Sequence, residues 1–260
     1  MLLENKRAIV TGAGRGIGRA IARRFAREGA SVFLGARTQA QLDEAVREIR
    51  SAGGNAAALA GDVSNPADCE SMVRAAREKF GGTDILVNNA GIYGPVKPVE
   101  EISPDEWDAV IAANLRGPFL LTRLVLPEMY ARGSGAILNI TSIAGKAAFP
   151  WNSPYAASKA GLAGFTRTLA AEAGRKGVRV NAISPGPVPE TQMSRELGAA
   201  LAESVGGNAD EMLQKMLGGI LQGRPQTTEE IAAAAVFLVS DQASAITGQI
   251  LNVDGGMAFY

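Results

Sequence analysis

Tyr155 and Lys159 lie four residues apart in the stretch NSPYAASKA, in a chain that contains no histidine. If that stretch is helical, their Cβ atoms are about 5–6 Å apart on one face. A free tyrosine has a pKa of roughly 10 and is a poor base at neutrality. A nearby ammonium favours the phenolate. Bringing the phenol to neutrality corresponds to about 4 kcal/mol, attainable where water is partly excluded. The pair is therefore expected to act as a general acid in ketone reduction or a base in alcohol oxidation. Ser142 ends an apolar run on the way into the same helix, and its hydroxyl is expected to hold the substrate oxygen. Asn114 sits inside a long helical pattern, where an amide is a poor helix former. It is expected to anchor a proton-relay water beside Lys159.

A second group of residues points to a phosphate-bearing ligand. The stretch TGAGRGIG carries glycines at Gly12, Gly14, Gly16 and Gly18, with Arg15 and Ile17 between them. The spacing is G-x-x-x-G-x-G rather than G-x-G-x-x-G. Both allow a tight turn and close backbone approach, and the following helix directs its N-terminal amides at a phosphate. The run SVFLGA then ends in Arg37-Thr38 with no acid to hold ribose hydroxyls. A planar guanidinium suits a 2′-phosphate. Arg37, with Arg15 as a second contact, predicts NADP as cofactor, with NAD as the alternative.

These residues need a frame. Short β-branched runs alternate with helical patterns: RAIVTG, SVFLGA, AAALAGDV, DILVNNAG, GAILNITS, VRVNAISPG and GQILNVDGG read as seven strands. Helices are predicted over 17–28, 39–52, 66–80, 103–130 with a bend near Gly117-Pro118, 155–175, 193–217 as one or two helices interrupted at VGGNAD, and 227–240. Ser103 and Thr227 each open a capping box. The alternation predicts an α/β fold, one doubly wound Rossmann-type domain over residues 1–260 with a parallel seven-stranded sheet covered on both faces. Its strand ends carry Asp62-Val63, Asn89-Ala90-Gly91, Ser142 and Pro185-Gly186. In a parallel sheet these ends share one edge, where such folds bind ligands.

Composition excludes other chemistry. Without histidine there is no Ser-His-Asp or Cys-His arrangement and no imidazole for zinc; no metal is expected. Twenty-six basic residues balance twenty-six acidic ones, so no overall charge draws the chain to nucleic acid or an anionic membrane. The longest apolar run, IAAAAVFLV, is roughly half a membrane span. The opening residues do not read as a secretory signal, and a cytoplasmic protein is expected. The lone Cys69 reads as a small core hydrophobe.

Taken together, TGAGRGIG, NNAG, Ser142, YAASK, NAISPGPV and the ending ITGQILNVDGG resemble the short-chain dehydrogenase/reductase family over essentially the whole chain. The resemblance implies hydride transfer between a nicotinamide and a carbonyl or alcohol carbon, in a homotetramer. It maps the catalytic four onto Asn114, Ser142, Tyr155 and Lys159. It also assigns Lys159 to the nicotinamide ribose, Asp62 and Val63 to adenine, Asn89 to the cofactor ribose and Val188 to the carboxamide. Thr191 departs from the family spacing by one position, which puts its usual hydrogen bond to the cofactor in question. Residues 193–223 are expected to form a substrate lid, and Phe149, Trp151 and Tyr93 an apolar mouth. Arg195 is a candidate contact for an acidic group. Within the family the pattern is closest to 3-oxoacyl-carrier-protein reductases, which makes a 3-oxoacyl thioester the lead substrate. The alternatives are a sugar, polyol or alicyclic alcohol dehydrogenase and, in another class, a non-catalytic dinucleotide-binding sensor.

Overall fold

The computed structural model describes residues 1–205, 208, 211, 214 and 217–259. Seven strands form a sheet in the order β3-β2-β1-β4-β5-β6-β7. They are β1 (Arg7–Thr11), β2 (Ser31–Ala36), β3 (Asn55–Ala60), β4 (Ile85–Asn88), β5 (Gly135–Ile140), β6 (Val178–Pro185) and β7 (Ile250–Val253). All neighbours pair in parallel, so the predicted sheet is the observed one. The strand order reverses between β1 and β4, and a crevice opens beside such a reversal at the carboxyl edge.

Both faces are covered. On one face α1 (Gly16–Arg27), α2 (Gln39–Ser51) and α8 (Thr228–Val239) bury Ile21, Phe25, Leu42, Ile231 and Val236 against β1, β2 and β5. On the other, α3 (Pro66–Phe80), α5 (Gly117–Arg132) and α6 (Ser153–Ala173) bury Met72, Leu121, Val125 and Leu169. Strands covered on both sides must be apolar on both, which explains their near-continuous hydrophobic runs. Cys69 is fully buried on α3. Burial pushes its thiol up to about 11, as suits a packing residue.

Helix ends follow their local chemistry. Ser103 Oγ accepts from Glu106 N at 3.3 Å while the Glu106 carboxylate accepts from Ser103 N at 2.9 Å, opening α4 (Pro104–Ile111). Thr227 and Glu230 close the same box at α8. The predicted long helix from 103 to 130 differs in one place: it passes through a π turn at Ala112–Arg116 before α5 begins. The π turn ends directly before Gly117-Pro118, where the bend was expected. The run Pro104–Arg132 is long and apolar enough by composition to cross a bilayer, but its Leu121, Val125 and Met129 are buried against the sheet. After β6, α7 (Gln192–Val205) occupies the start of the expected 193–217 helix. Most of the remainder of that expectation, 206–216, lies outside the described residues.

Candidate active site

A cleft of about 1060 Å³ runs along the carboxyl edge of the sheet. One end is the turn from β1 into α1, where Gly12, Gly14, Arg15, Gly16, Ile17 and Gly18 line the wall. The turn is held from below. Thr11 Oγ1 accepts from Asn89 N and Ala90 N, both at 3.1 Å, and Asn89 Nδ2 donates to Thr11 O at 2.8 Å. Gly12 has φ +64, and a Cβ there would lie 2.9 Å from Ala90 Cα and 2.7 Å from Asn89 Nδ2. Any side chain at this position would drive the two loops apart. At Arg15, the N-cap of α1, no side chain caps the helix, and its first turn holds no acid. Its first amides are therefore left to a ligand, and the positive end of the helix favours an anion.

The other strand ends contribute in turn. Arg37 after β2, Asp62 and Val63 after β3, and Asn89, Ala90 and Gly91 after β4 all line the cleft. Pro185, Gly186, Val188 and Thr191 line it after β6. Arg37 is exposed on the rim and makes no ion pair among the described residues. Asp62 turns inward, its carboxylate accepting from Ser64 N at 2.8 Å and Ser64 Oγ at 2.7 Å. The Thr191 hydroxyl donates to Val188 O at 2.9 Å and accepts from Ser194 N at 3.2 Å, so it is engaged within its own loop. Arg15 reaches across the cleft to the Gln192 side chain at the start of α7.

The reacting groups sit where β5 and α6 meet. Ser142 follows β5, and its hydroxyl accepts from Ala144 N at 3.1 Å and lines the cleft beside Tyr155. Lys159 Nζ donates to Ile140 O at 2.8 Å and lies 5.5 Å from the Tyr155 ring centre. Tyr155 is 8 % exposed and Lys159 is 4 %. A polar ladder fixes α6 on the sheet behind them: Asn88 Nδ2 donates to Asn139 Oδ1 at 2.9 Å, and Asn139 Nδ2 to Thr166 Oγ1 at 2.9 Å. Thr166 lies two turns beyond Lys159, on the same helix face.

Desolvation dominates the electrostatics of the pair. Burial pushes Tyr155 up to about 12, although the Ser142 hydroxyl pulls the other way. Burial pushes Lys159 down to about 8. Lys159 therefore does not by itself make Tyr155 acidic. Its ammonium is turned to the Ile140 carbonyl, and desolvation of the phenolate outweighs what remains of the attraction.

Asn114 stands behind the cleft wall. It lies in the π turn, fully buried, and does not line the cleft. Its Oδ1 accepts from Ile92 N at 2.8 Å, and its Nδ2 donates to Ile92 O at 2.8 Å and Ser158 Oγ at 3.1 Å. These bonds let it hold the Gly91–Tyr93 wall in place. A Cβ on Gly91 would lie 2.8 Å from Asn114 Oδ1, which is why the wall is backbone there.

Phe149 and Trp151 line the cleft as expected, and so do Met193, Arg195, Leu197 and Leu201 of α7. Arg195 Nη1 donates to Glu190 O at 2.8 Å. Tyr93 goes further than a place at the mouth: its ring stacks on Tyr155, centroids 4.5 Å apart and planes 29° from parallel. That stack, the Ile140 carbonyl and the Thr11 hub escape sequence reasoning, because each joins residues dozens of positions apart or uses backbone atoms. The Thr11 hydroxyl directly before Gly12 was the one local sign.

The chain is similar to known proteins. Residues 12–258 match the family model described as enoyl-(acyl carrier protein) reductase. The chain is 37% identical over 257 residues to the 3-oxoacyl-[acyl-carrier-protein] reductase FabG of Thermotoga maritima, covering 99% of each chain. It is 40% identical over 258 residues to the FabG of Chlamydia muridarum, again covering 99% of each. Among solved structures, a single-substitution variant of actinorhodin polyketide ketoreductase with NADPH superposes with a TM-score of 0.94 at 38% identity, covering 98% of both chains. With the sheet order, the glycine turn and the Ser142, Tyr155 and Lys159 cluster all in one cleft, the chain belongs to the short-chain dehydrogenase/reductase family of NAD(P)-dependent oxidoreductases.

Proposed function

We propose that the protein reduces a carbonyl group with NADPH, and that its substrate is a 3-oxoacyl thioester. The observation that carries this reading is the convergence of Ser142, Tyr155 and Lys159 at one end of a cleft whose other end is an uncapped helix N-terminus. The cradle fits a dinucleotide. The amides opening α1 suit its pyrophosphate, and Lys159, with a single hydrogen-bond partner among the described residues, has donors left for a ribose diol. Arg37 supports NADP over NAD, because a guanidinium on the rim attracts a 2′-phosphate that an acid there would repel. The relatives named as 3-oxoacyl reductases and the NADPH complex support the substrate and the cofactor.

The bound cofactor supplies a hydride to the carbonyl carbon. The remaining steps belong to this chain. The Ser142 hydroxyl holds the carbonyl oxygen and orients it on Tyr155. Tyr155, kept neutral by burial, donates its proton to that oxygen as negative charge develops there. The phenolate left behind is stabilised by the Lys159 ammonium and the Ser142 hydroxyl. A phenol that must give a proton has to be protonated beforehand, as a tyrosine is at neutral pH. Asn114 keeps the facing wall in register through Ile92. Described residues of 193–223 border the cleft on the substrate side and support a lid role for that segment. The protein is proposed to work in the cytoplasm as a homotetramer. The exposed apolar side chains of Trp107, Phe119, Phe237 and Leu251 support burial between subunits; sedimentation tests the tetramer.

The test is NADPH consumption with 3-oxoacyl thioesters, alongside panels of sugars, polyols and cyclic ketones. Turnover strongest on the thioesters is expected. Turnover confined to sugars or cyclic alcohols would replace the substrate, and tight NADPH binding without turnover on any carbonyl would make the protein a sensor.

A further inference from the structure

We propose that Tyr93 is a specificity-determining residue whose hydroxyl donates to a second substrate oxygen, one separated from the reacting carbonyl by a single carbon bridge, as in a 1,3-dicarbonyl. The inference rests on the carbonyl-reductase reading above and deepens it.

Tyr93 follows β4 and lines the cleft beside Ser142 and Tyr155. Its ring stacks on the ring of Tyr155 at 4.5 Å. A phenylalanine would stack equally well, so the stack does not account for the hydroxyl. Asn152 Nδ2 donates to the Tyr93 oxygen at 3.0 Å. That bond uses an oxygen lone pair and leaves the hydroxyl hydrogen without an acceptor among the described residues. Asn152 is itself held: it is 2 % exposed and stands directly before α6. The preceding Trp151 has φ 63 and a carbonyl that accepts from Lys97 N at 3.2 Å. A positive φ at tryptophan is a strained backbone kept only where its surroundings insist on it. The loop carrying Asn152 and the loop carrying Tyr93 are thus fastened together, with the phenol fixed between them.

The surroundings make that donor selective. The mouth is otherwise apolar, with Phe149, Trp151 and Ile143 in its wall. A lone fixed donor in an apolar wall is the usual means of orienting a ligand. The stack sets the two phenol rings 4.5 Å apart in the lining of one cleft. A substrate oxygen accepting from Tyr155 would therefore bring a neighbouring oxygen to Tyr93. A 3-oxoacyl thioester supplies both: its C3 carbonyl reacts and its thioester carbonyl accepts. A simple ketone supplies only the first.

The test compares Tyr93→Phe with the unchanged protein on two substrates reduced with NADPH. One is the 3-oxobutyryl thioester of N-acetylcysteamine. The other is the matching thioether, in which the thioester carbonyl is a methylene. The variant keeps the ring, and comparing the unfolding midpoints first verifies its fold. The preference for the thioester, as the ratio of the two kcat/KM values, is expected to fall about tenfold in the variant. A ratio within twofold of the unchanged protein's, with both substrates slowed alike, would reduce Tyr93 to a packing partner of Tyr155 and overturn the inference alone. An unchanged protein inactive on both substrates would overturn the 3-oxoacyl thioester reading, and this inference with it.

Discussion

At the glycine end of the cleft the wall is backbone, whereas at the Tyr155 end it is side chain. The first end rests on Gly12, Asn89 and Ala90 packed so closely that a methyl group would not fit. The second rests on two stacked tyrosines, a buried lysine and a serine, with Trp151 and Asn152 bracing them. A backbone wall offers amides to a phosphate and is indifferent to what the rest of the ligand carries. A wall of side chains offers shape, proton donors and polarity, each of which can change without disturbing the turn. The contrast assigns binding of a common cofactor to one end and chemistry with selectivity to the other.

The sharpest way to break that division is Tyr155→Phe. It removes one hydroxyl and keeps the ring, so kcat is expected to fall about 10³-fold while the NADPH Kd, read by fluorescence titration, stays within about twofold. A matching loss of NADPH affinity would show that the two ends cannot be separated. Lys159 stands where they meet, so Lys159→Ala should damage both. A kcat loss of about 10²-fold with a Kd raised about tenfold is expected in single-turnover and binding measurements. Arg37→Ala addresses the cofactor end alone: NADPH binding should weaken about tenfold, with NADH binding unchanged within about twofold. Equal losses for both cofactors would remove the 2′-phosphate from the argument.

The smallest effect is one of pH. Burial lowers Lys159 from 10.5 to about 8. If its ammonium stabilises the Tyr155 phenolate, kcat for reduction is full well below pH 8, near half at about pH 8 and lost as pH rises further. Stability moves in the opposite direction. Between about 8 and 10.5 the unfolded chain holds more protons at this site than the native one, so the Lys159 contribution to stability rises with pH across that window. A rate profile flat through pH 9 would remove Lys159 from the proton chemistry.

The same contrast explains what could be read without coordinates. The seven strands were legible because strands buried on both faces must be apolar throughout, and the capping boxes at Ser103 and Thr227 mark their helices by local chemistry alone. The glycine turn was legible because backbone crowding leaves few choices of residue. Asn114 is a harder case. Its type and place drew attention, but its work depends on Ile92 and Ser158, 22 and 44 residues away. The burial of Tyr155 was hidden for a related reason: helical spacing gives the distance to Lys159, while the cost of desolvation depends on everything packed around it. The Tyr93 stack joins residues 93 and 155 across two loops, a pairing no periodicity announces.

The π turn at Ala112–Arg116 carries one residue more than an α-helical turn would. Every side chain beyond it is rotated by about 100° relative to an unbroken helix. The segment therefore works as a phase shifter. It lets α4 follow the rim of the cleft and α5 follow the sheet, though one continuous helix could satisfy only one of these directions. Deleting a single residue there would restore ordinary helical winding and turn Asn114 away from Ile92, so the cleft wall would lose its brace through a change of angle alone.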